Sequence, residues 1–192
     1  QVQDQLRSVQ QVQSTEQAFA AVLADGSVIT WGASNYGGDS SEVQDQLRNV
    51  QQVQSTEQAF AAVLADGSVV TWGHPGYGGD SLEVQDQLRS VQQIQATESA
   101  LAAVLADGSV ATWGNPHSGG DSSRVQAQLQ SVQQMQATEN AFAAVLADGS
   151  VVIWGNPDFG GDSSQVQDQL RSVQQIQATC DAFAAVLADG SV

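Results

Sequence analysis

The chain has 192 residues, with 41% apolar side chains, 21 acidic residues against 5 basic ones and a formal net charge of -16. Its longest apolar run, residues 59–65, is far shorter than the roughly 20 residues that a membrane-spanning helix needs. No lysine occurs, and the five cations are Arg7, Arg48, Arg89, Arg124 and Arg171; such a surface repels nucleic-acid phosphates and anionic lipid and attracts basic proteins.

Five copies of one unit fill the sequence. Trp31, Trp72, Trp113 and Trp154 recur every 41 residues, as do Asp25, Asp66, Asp107, Asp148 and Asp189, each followed by Gly. The units run 2–42, 43–83, 84–124, 125–165 and 166–192, the last incomplete. The chain opens on Gln1 and stops mid-unit at Val192, so it is expected to be part of a larger protein. Cys180 stands alone where the other units carry Glu16, Glu57, Glu98 and Glu139. It can form no intrachain disulfide, which favours an intracellular, reducing compartment, cytoplasm or organelle.

Taken in chain order within the second unit, the first segment, Val43 to Leu47, is ambiguous: Val43, Leu47 and Val50 have helical spacing, but the run suits a short outer strand as well. Val50 to Gln54 reads as a strand. Ala59 to Leu64 and Ser68 to Trp72 flank Asp66-Gly67, the mark of a hairpin, here expected to close through a two-residue primed turn with positive φ at its centre. The first hairpin strand is apolar on both faces, which suits a sheet covered on both sides. Between Trp-Gly and Gly-Gly-Asp lies the most variable segment, ASNY, HPGY, NPHS and NPDF in successive units. Its Gly, Pro and Asn mark a surface loop.

The stretch from Val50 to Gly73, with Thr56-Glu57, AFAAVLADGSV (59–69) and Trp72-Gly73, followed by Gly78-Gly79-Asp80, resembles the repeat of the regulator of chromosome condensation. That repeat is also carried by some HECT-type ubiquitin ligases and by long near-identical arrays in unicellular algae. The resemblance implies a propeller-type β blade. Thr56-Glu57-Gln58-Ala59 replaces the family's Gly-x-x-His, the units are shorter than the family's, and a closed family-type ring needs more copies. Nothing resembles a HECT catalytic domain. The fold class expected is all-β, a repeat array of propeller-like blades of about 41 residues, forming an open arc or a five-bladed ring.

Four strands per blade, running up and down, would put the Asp-Gly turns at one end. The Thr-Glu turns and variable loops would share the other, gathering Glu16, Glu57, Glu98 and Glu139 with Asp39, Asp80, Asp121 and Asp162. This acidic, variable face is the expected partner-binding surface, with Tyr36, Tyr77 and Phe159 as its aromatic contacts. The tryptophans, fixed at the hairpin end, are expected in the core. No catalytic residues are nominated: His74 and His117 fall at non-equivalent loop positions, and the recurrent carboxylates belong to turns. No metal or cofactor is expected either, since the Gly-Gly-Asp motif returns too seldom to assemble the six to eight oxygens of a calcium site. The function expected is a non-enzymatic protein-protein interaction scaffold binding a protein with a basic surface. The alternatives are a self-associating or structural accessory subunit of a large, organellar assembly and a carbohydrate-binding propeller.

Overall fold

The computed structural model describes residues 2–192. Its strands form antiparallel sheets in strict sequence order. The first sheet is β1 (Val9–Ser14), β2 (Ala18–Leu23) and β3 (Val28–Gly32), and the second is β4 (Val50–Ser55), β5 (Ala59–Leu64) and β6 (Val69–Gly73). The third comprises β7 (Val91–Ala96), β8 (Ala100–Leu105) and β9 (Val110–Gly114). The fourth comprises β10 (Val132–Ala137), β11 (Ala141–Leu146) and β12 (Val151–Gly155), and the fifth only β13 (Val173–Ala178) and β14 (Phe183–Leu187). The chain divides into two compact units, residues 1–91 and 92–192. The all-β, blade-repeating fold class expected from the sequence is the one observed.

Each of the first four blades has three strands rather than four. In place of the fourth, Val43 to Leu47 coils into one turn, with the Leu47 N–H reaching back to the Val43 carbonyl at 3.2 Å. Side chains fasten this turn to the outer strand. Ser40 Oγ donates to Gln44 Oε1 at 2.8 Å and lies 3.0 Å from Thr30 Oγ1, while Gln44 Nε2 donates to the Val28 carbonyl at 3.0 Å. Ser81, Gln85 and Thr71 repeat the arrangement. The turn thus covers the edge of β3 or β6, where an exposed ladder would otherwise invite strand pairing. It also plants Leu47 in the core, 1% exposed.

The hairpin at each Asp-Gly is present, but its loop has three residues. The Gly26 N–H donates to the Leu23 carbonyl and the Leu23 N–H to the Ser27 carbonyl, both at 2.9 Å. Gly26 alone of the loop takes a left-handed conformation, with φ 77°. This is a type I turn closed by a glycine bulge, not the primed turn expected. Asp25 needs no positive φ because its Oδ1 accepts from both the N–H and Oγ of Ser27, an Asx turn.

The start of the next inner strand seats on that glycine. Asn49, itself left-handed at φ 55°, brings its Cα to 2.8 Å from where a Cβ on Gly26 would stand. The Val50 N–H then donates to the Gly26 carbonyl and the Ala65 N–H to the Asn49 carbonyl, both at 2.9 Å. Ser90 takes the same place over Gly67, and Ser131 and Ser172 over Gly108 and Gly149.

Within each unit, consecutive sheets stack face to face. The front of the first sheet (Ala18, Ala20, Val22, Val28) meets the back of the second (Val50, Val53, Phe60, Ala62, Val70, Trp72), with Leu47 at the margin. In the second unit, Ala100, Ala102, Val104 and Val110 meet Val132, Met135, Phe142 and Trp154 in the same way. Ala143, Val145 and Val151 then meet Val173 and Ile176 of the fifth sheet. Alanine on each front face allows the close approach expected from its abundance.

Candidate interaction surface

Three side-chain devices fix the loop end of each blade. The Thr15 hydroxyl accepts from the Ala18 N–H at 3.0 Å and donates to the Tyr36 carbonyl at 2.9 Å. It ties the turn after the inner strand to the variable loop, as Thr56 ties Ala59 to Tyr77 and Thr138 ties Ala141 to Phe159. The loop itself is one 3-10 turn ending in a left-handed glycine: Gly37 at φ 85°, Gly78 at 91°, Gly119 at 92° and Gly160 at 86°. Gly37, Gly119 and Gly160 lie against the next blade of the same unit. A Cβ on Gly37 would fall 2.6 Å from the Phe60 ring, and the Gly37 carbonyl accepts from Trp72 Nε1 at 3.0 Å. Gly119 serves Phe142 and Trp154 identically. Phe60 and Trp72 stack at 5.2 Å, Phe142 and Trp154 at 5.3 Å. Trp72, Trp113 and Trp154 are therefore core residues, 4–5% exposed, whereas Trp31 is only half-buried.

Between consecutive loops, each unit opens a cleft. In the first unit a cleft of 740 Å³ is bordered by Asn35, Asp39, Glu42, Trp72, Asp80 and Leu82. In the second unit a cleft of 570 Å³ is bordered by His117, Asp121, Arg124, Trp154 and Asp162. The recurrent aspartates thus border the clefts two by two, Asp39 and Asp80 in the first and Asp121 and Asp162 in the second. Each Oδ1 also accepts the N–H two residues on: Ser41 at 3.0 Å, Leu82 at 2.9 Å, Ser123 at 2.9 Å and Ser164 at 2.8 Å. Those bonds from Ser41, Ser123 and Ser164 hold Asp39, Asp121 and Asp162 below the ordinary carboxylate pKa, so all three stay charged at neutral pH.

The glutamates sit elsewhere, on the turns after the inner strands, and border neither cleft. Their backbones link one blade to the next: Glu16 N–H to Glu57 carbonyl at 2.9 Å, Glu98 N–H to Glu139 carbonyl at 2.8 Å, and Glu139 N–H to Cys180 carbonyl at 2.8 Å. Cys180 is exposed, and its hydrogen bond to Glu139, with that residue's negative charge, raises the thiol pKa, the opposite of what a reactive thiolate needs. Tyr36 packs against the core, and Tyr77 meets His74 edge to face at 5.1 Å. Neither these rings nor Phe159 borders a cleft. Among the described residues, no group of three His, Cys, Asp or Glu is placed to hold a metal ion.

Two cleft residues escaped the sequence reading. Leu82, 80% exposed, stands where the other units have Ser41, Ser123 and Ser164, and Arg124 where they have Glu42, Glu83 and Gln165. Their signal was a departure from the repeat at a solvent-facing place, the opposite of periodicity.

The fold, antiparallel blades repeated along the chain, is that of the regulator-of-chromosome-condensation repeat. No protein-family model matches the sequence, and no curated protein matches it either. Solved structures of that fold do match. Yeast RCC1 (Prp20), solved bound to Kap60, superposes with TM-score 0.61 at 18% identity, over 89% of this chain and 52% of that one. Human WBSCR16 gives 0.56 at 17% identity, over 93% and 57%. The ectodomain of the Arabidopsis thaliana receptor kinase ACR4 gives 0.54 at 14%, over 95% and 62%. The likeness is one of fold, and the chain spans little more than half the length of the proteins it matches.

Proposed function

We propose that the chain is a non-catalytic protein-interaction scaffold whose loop clefts grip a basic segment of a partner. The observation that carries this reading is that Asp39 and Asp80 border one cleft, and Asp121 and Asp162 a separate cleft of the same construction. The net charge of -16 adds long-range attraction for a cationic partner. Two structures of the same fold concern protein binding, yeast Prp20 with Kap60 and Prp20p with Gsp1p and histones, which favours a protein ligand. Glu16, Glu57, Glu98 and Glu139 contribute charge at the inner turns, and Tyr36, Tyr77 and Phe159 stiffen the loops and lend contact at their rims. Leu82 offers the first cleft an apolar anchor.

The test replaces Asp39, Asp80, Asp121 and Asp162 together by Asn. Asparagine keeps the Oδ1 acceptor that each Asx turn uses and removes only the charge. The expected result is a loss of about tenfold or more in affinity for an arginine-rich peptide, a loss of binding with added salt in the parent chain, and an unchanged circular dichroism spectrum. Unchanged affinity overturns the reading, and unfolding assigns these aspartates to the fold instead.

A structural accessory subunit of a large, organellar assembly is the second reading, favoured by apolar junctions in which each sheet is buried by its neighbour. Gel filtration separates the two: a stable monomer supports the loop-face scaffold, and persistent association supports the accessory subunit. A carbohydrate platform fits less well, because Trp72 and Trp154 are spent on phenylalanine stacking and on glycine carbonyls.

A further inference from the structure

The two loop clefts share a construction but not a charge. Asp39, Glu42 and Asp80 border the first, and no cation stands among its lining residues. The second is bordered by Arg124 as well as by Asp121 and Asp162, with Arg124 at the repeat position that Glu42 holds in the first. The Asp121 carboxyl is held below its ordinary pKa first by the Ser123 N–H and in part by the Arg124 charge, so the guanidinium already acts on this cleft.

Arg124 also stands apart from the other arginines. Arg48, Arg89 and Arg171 lie on the coiled turns and pair with Asp45, Asp86 and Asp168, three residues back, at 3.1, 3.1 and 3.4 Å. The fourth repeat has Ala127 and Gln130 at those two places and lacks the pair. An exposed cation thus borders the cleft whose counterpart is wholly acidic, and it repels any second cation brought there.

The first cleft departs from the repeat in another way. Leu82 is 80% exposed where the other repeats carry Ser41, Ser123 and Ser164. Exposed Pro75 and half-buried Val43 border the same cleft. A ligand that only neutralises the carboxylates leaves this apolar surface in water, whereas one that also covers Leu82 gains from its burial.

We propose that the first cleft takes a segment in which arginine or lysine stands beside a large apolar side chain, with Leu82 selecting the apolar residue and Arg124 barring the segment from the second cleft. This rests on the clefts being the binding surface for a basic partner; it adds which cleft is used and which sequence it prefers.

Isothermal titration calorimetry on the full chain compares two short peptides, one alternating arginine with leucine and one alternating arginine with serine. The leucine peptide should bind about tenfold more tightly. Leu82→Ser, which installs the residue of the other repeats, should abolish that difference and leave the serine peptide unaffected. Asp39→Asn with Asp80→Asn should weaken both peptides by about tenfold or more, and Asp121→Asn with Asp162→Asn by less than about twofold. Added to the Asp39→Asn, Asp80→Asn chain, Arg124→Glu should restore binding of the serine peptide by opening the second cleft. Arg171→Glu makes the same change of charge at a residue that borders neither cleft and should restore nothing. Equal affinity of the parent for the two peptides, or restoration by Arg171→Glu as well as by Arg124→Glu, overturns this proposal; the losses in the Asn variants would then still uphold the acidic clefts as the binding surface. A parent chain that binds neither peptide overturns both.

Discussion

AFAAVL is spelled identically in the first and second sheets, at 18–23 and 59–64, and ends up in two physical settings. In the second sheet the first sheet's alanines and the Gly37 loop close over Phe60 completely. In the first sheet the same ring, at Phe19, is left nearly half in water. Sequence decides which face of a strand is apolar, and the preceding blade decides whether that face is buried. The burial of a unit is therefore a property of a pair of units, as expected of an array held by nearest-neighbour interfaces.

The comparison breaks most sharply at the phenylalanines themselves. Phe60→Ala should cost about 3–5 kcal/mol of stability, because the void it leaves is sealed on both sides. Phe19→Ala should cost about 1–2 kcal/mol, since part of its surface is already hydrated. Urea unfolding followed by circular dichroism measures both; equal losses would mean that the face of Phe19 is covered in solution.

Glycine gives the next contrast. Alanine at a left-handed position costs about 1–2 kcal/mol by conformation alone. At Gly190 a Cβ meets nothing within 4 Å, but at Gly67 it would stand 2.7 Å from the Ser90 Cα. Gly67→Ala should therefore lower the thermal midpoint clearly more than Gly190→Ala. Thr56→Val and Thr179→Val sharpen the same point. Thr56 is buried and serves both the Ala59 N–H and the Tyr77 carbonyl. Losing its hydroxyl should cost about 1–3 kcal/mol, against under about 1 kcal/mol at exposed Thr179.

Acid yields the smallest effect. Asp25, Asp66, Asp107 and Asp148 have lowered pKa values, chiefly through the hydroxyls of Ser27, Ser68, Ser109 and Ser150. A carboxylate depressed in the folded state adds stability that is full above its unfolded pKa, 3.8. That stability is lost as the pH falls through the lower, folded value. The unfolding midpoint should accordingly hold through neutral pH and decline only below about pH 4. An onset near pH 6 would implicate some other group. These aspartates lie in water, so the decline should be shallow.

Most of the blade was legible because its signals are local. Asp66-Gly67 between two β-prone runs marked the hairpin, and the apolar faces of Ala59 to Leu64 marked a doubly covered strand. The missing fourth strand was less so, since Val43 and Leu47 satisfy two periods. The deciding feature is polar: Ser40 and Gln44, four apart, meet only when the chain coils. The turn type was misread because Ser27, two residues after Asp25, matters as much as the Gly. Periodicity placed the loop aspartates on one face, whereas Leu82 and Arg124 broke the period and so carried no repeating signal. The inner strand, Val50 to Gln54, was legible as a strand, but the role of its glutamines was not. In the first blade the corresponding Gln11 amide serves a neighbouring backbone 42 positions away, which no local pattern encodes.

The contact of Asn49 on Gly26 and of Ser90 on Gly67 has a bearing on how such a chain can change in length. The glycine of one turn and the residue opening the next inner strand touch across a fixed 23-residue path, which leaves little slack for an added residue. A whole repeat can be duplicated or deleted without disturbing either neighbour's register. A single-residue insertion between those two points would lift the next sheet off its seat. Indels tolerated by this chain should therefore come in multiples of the 41-residue period.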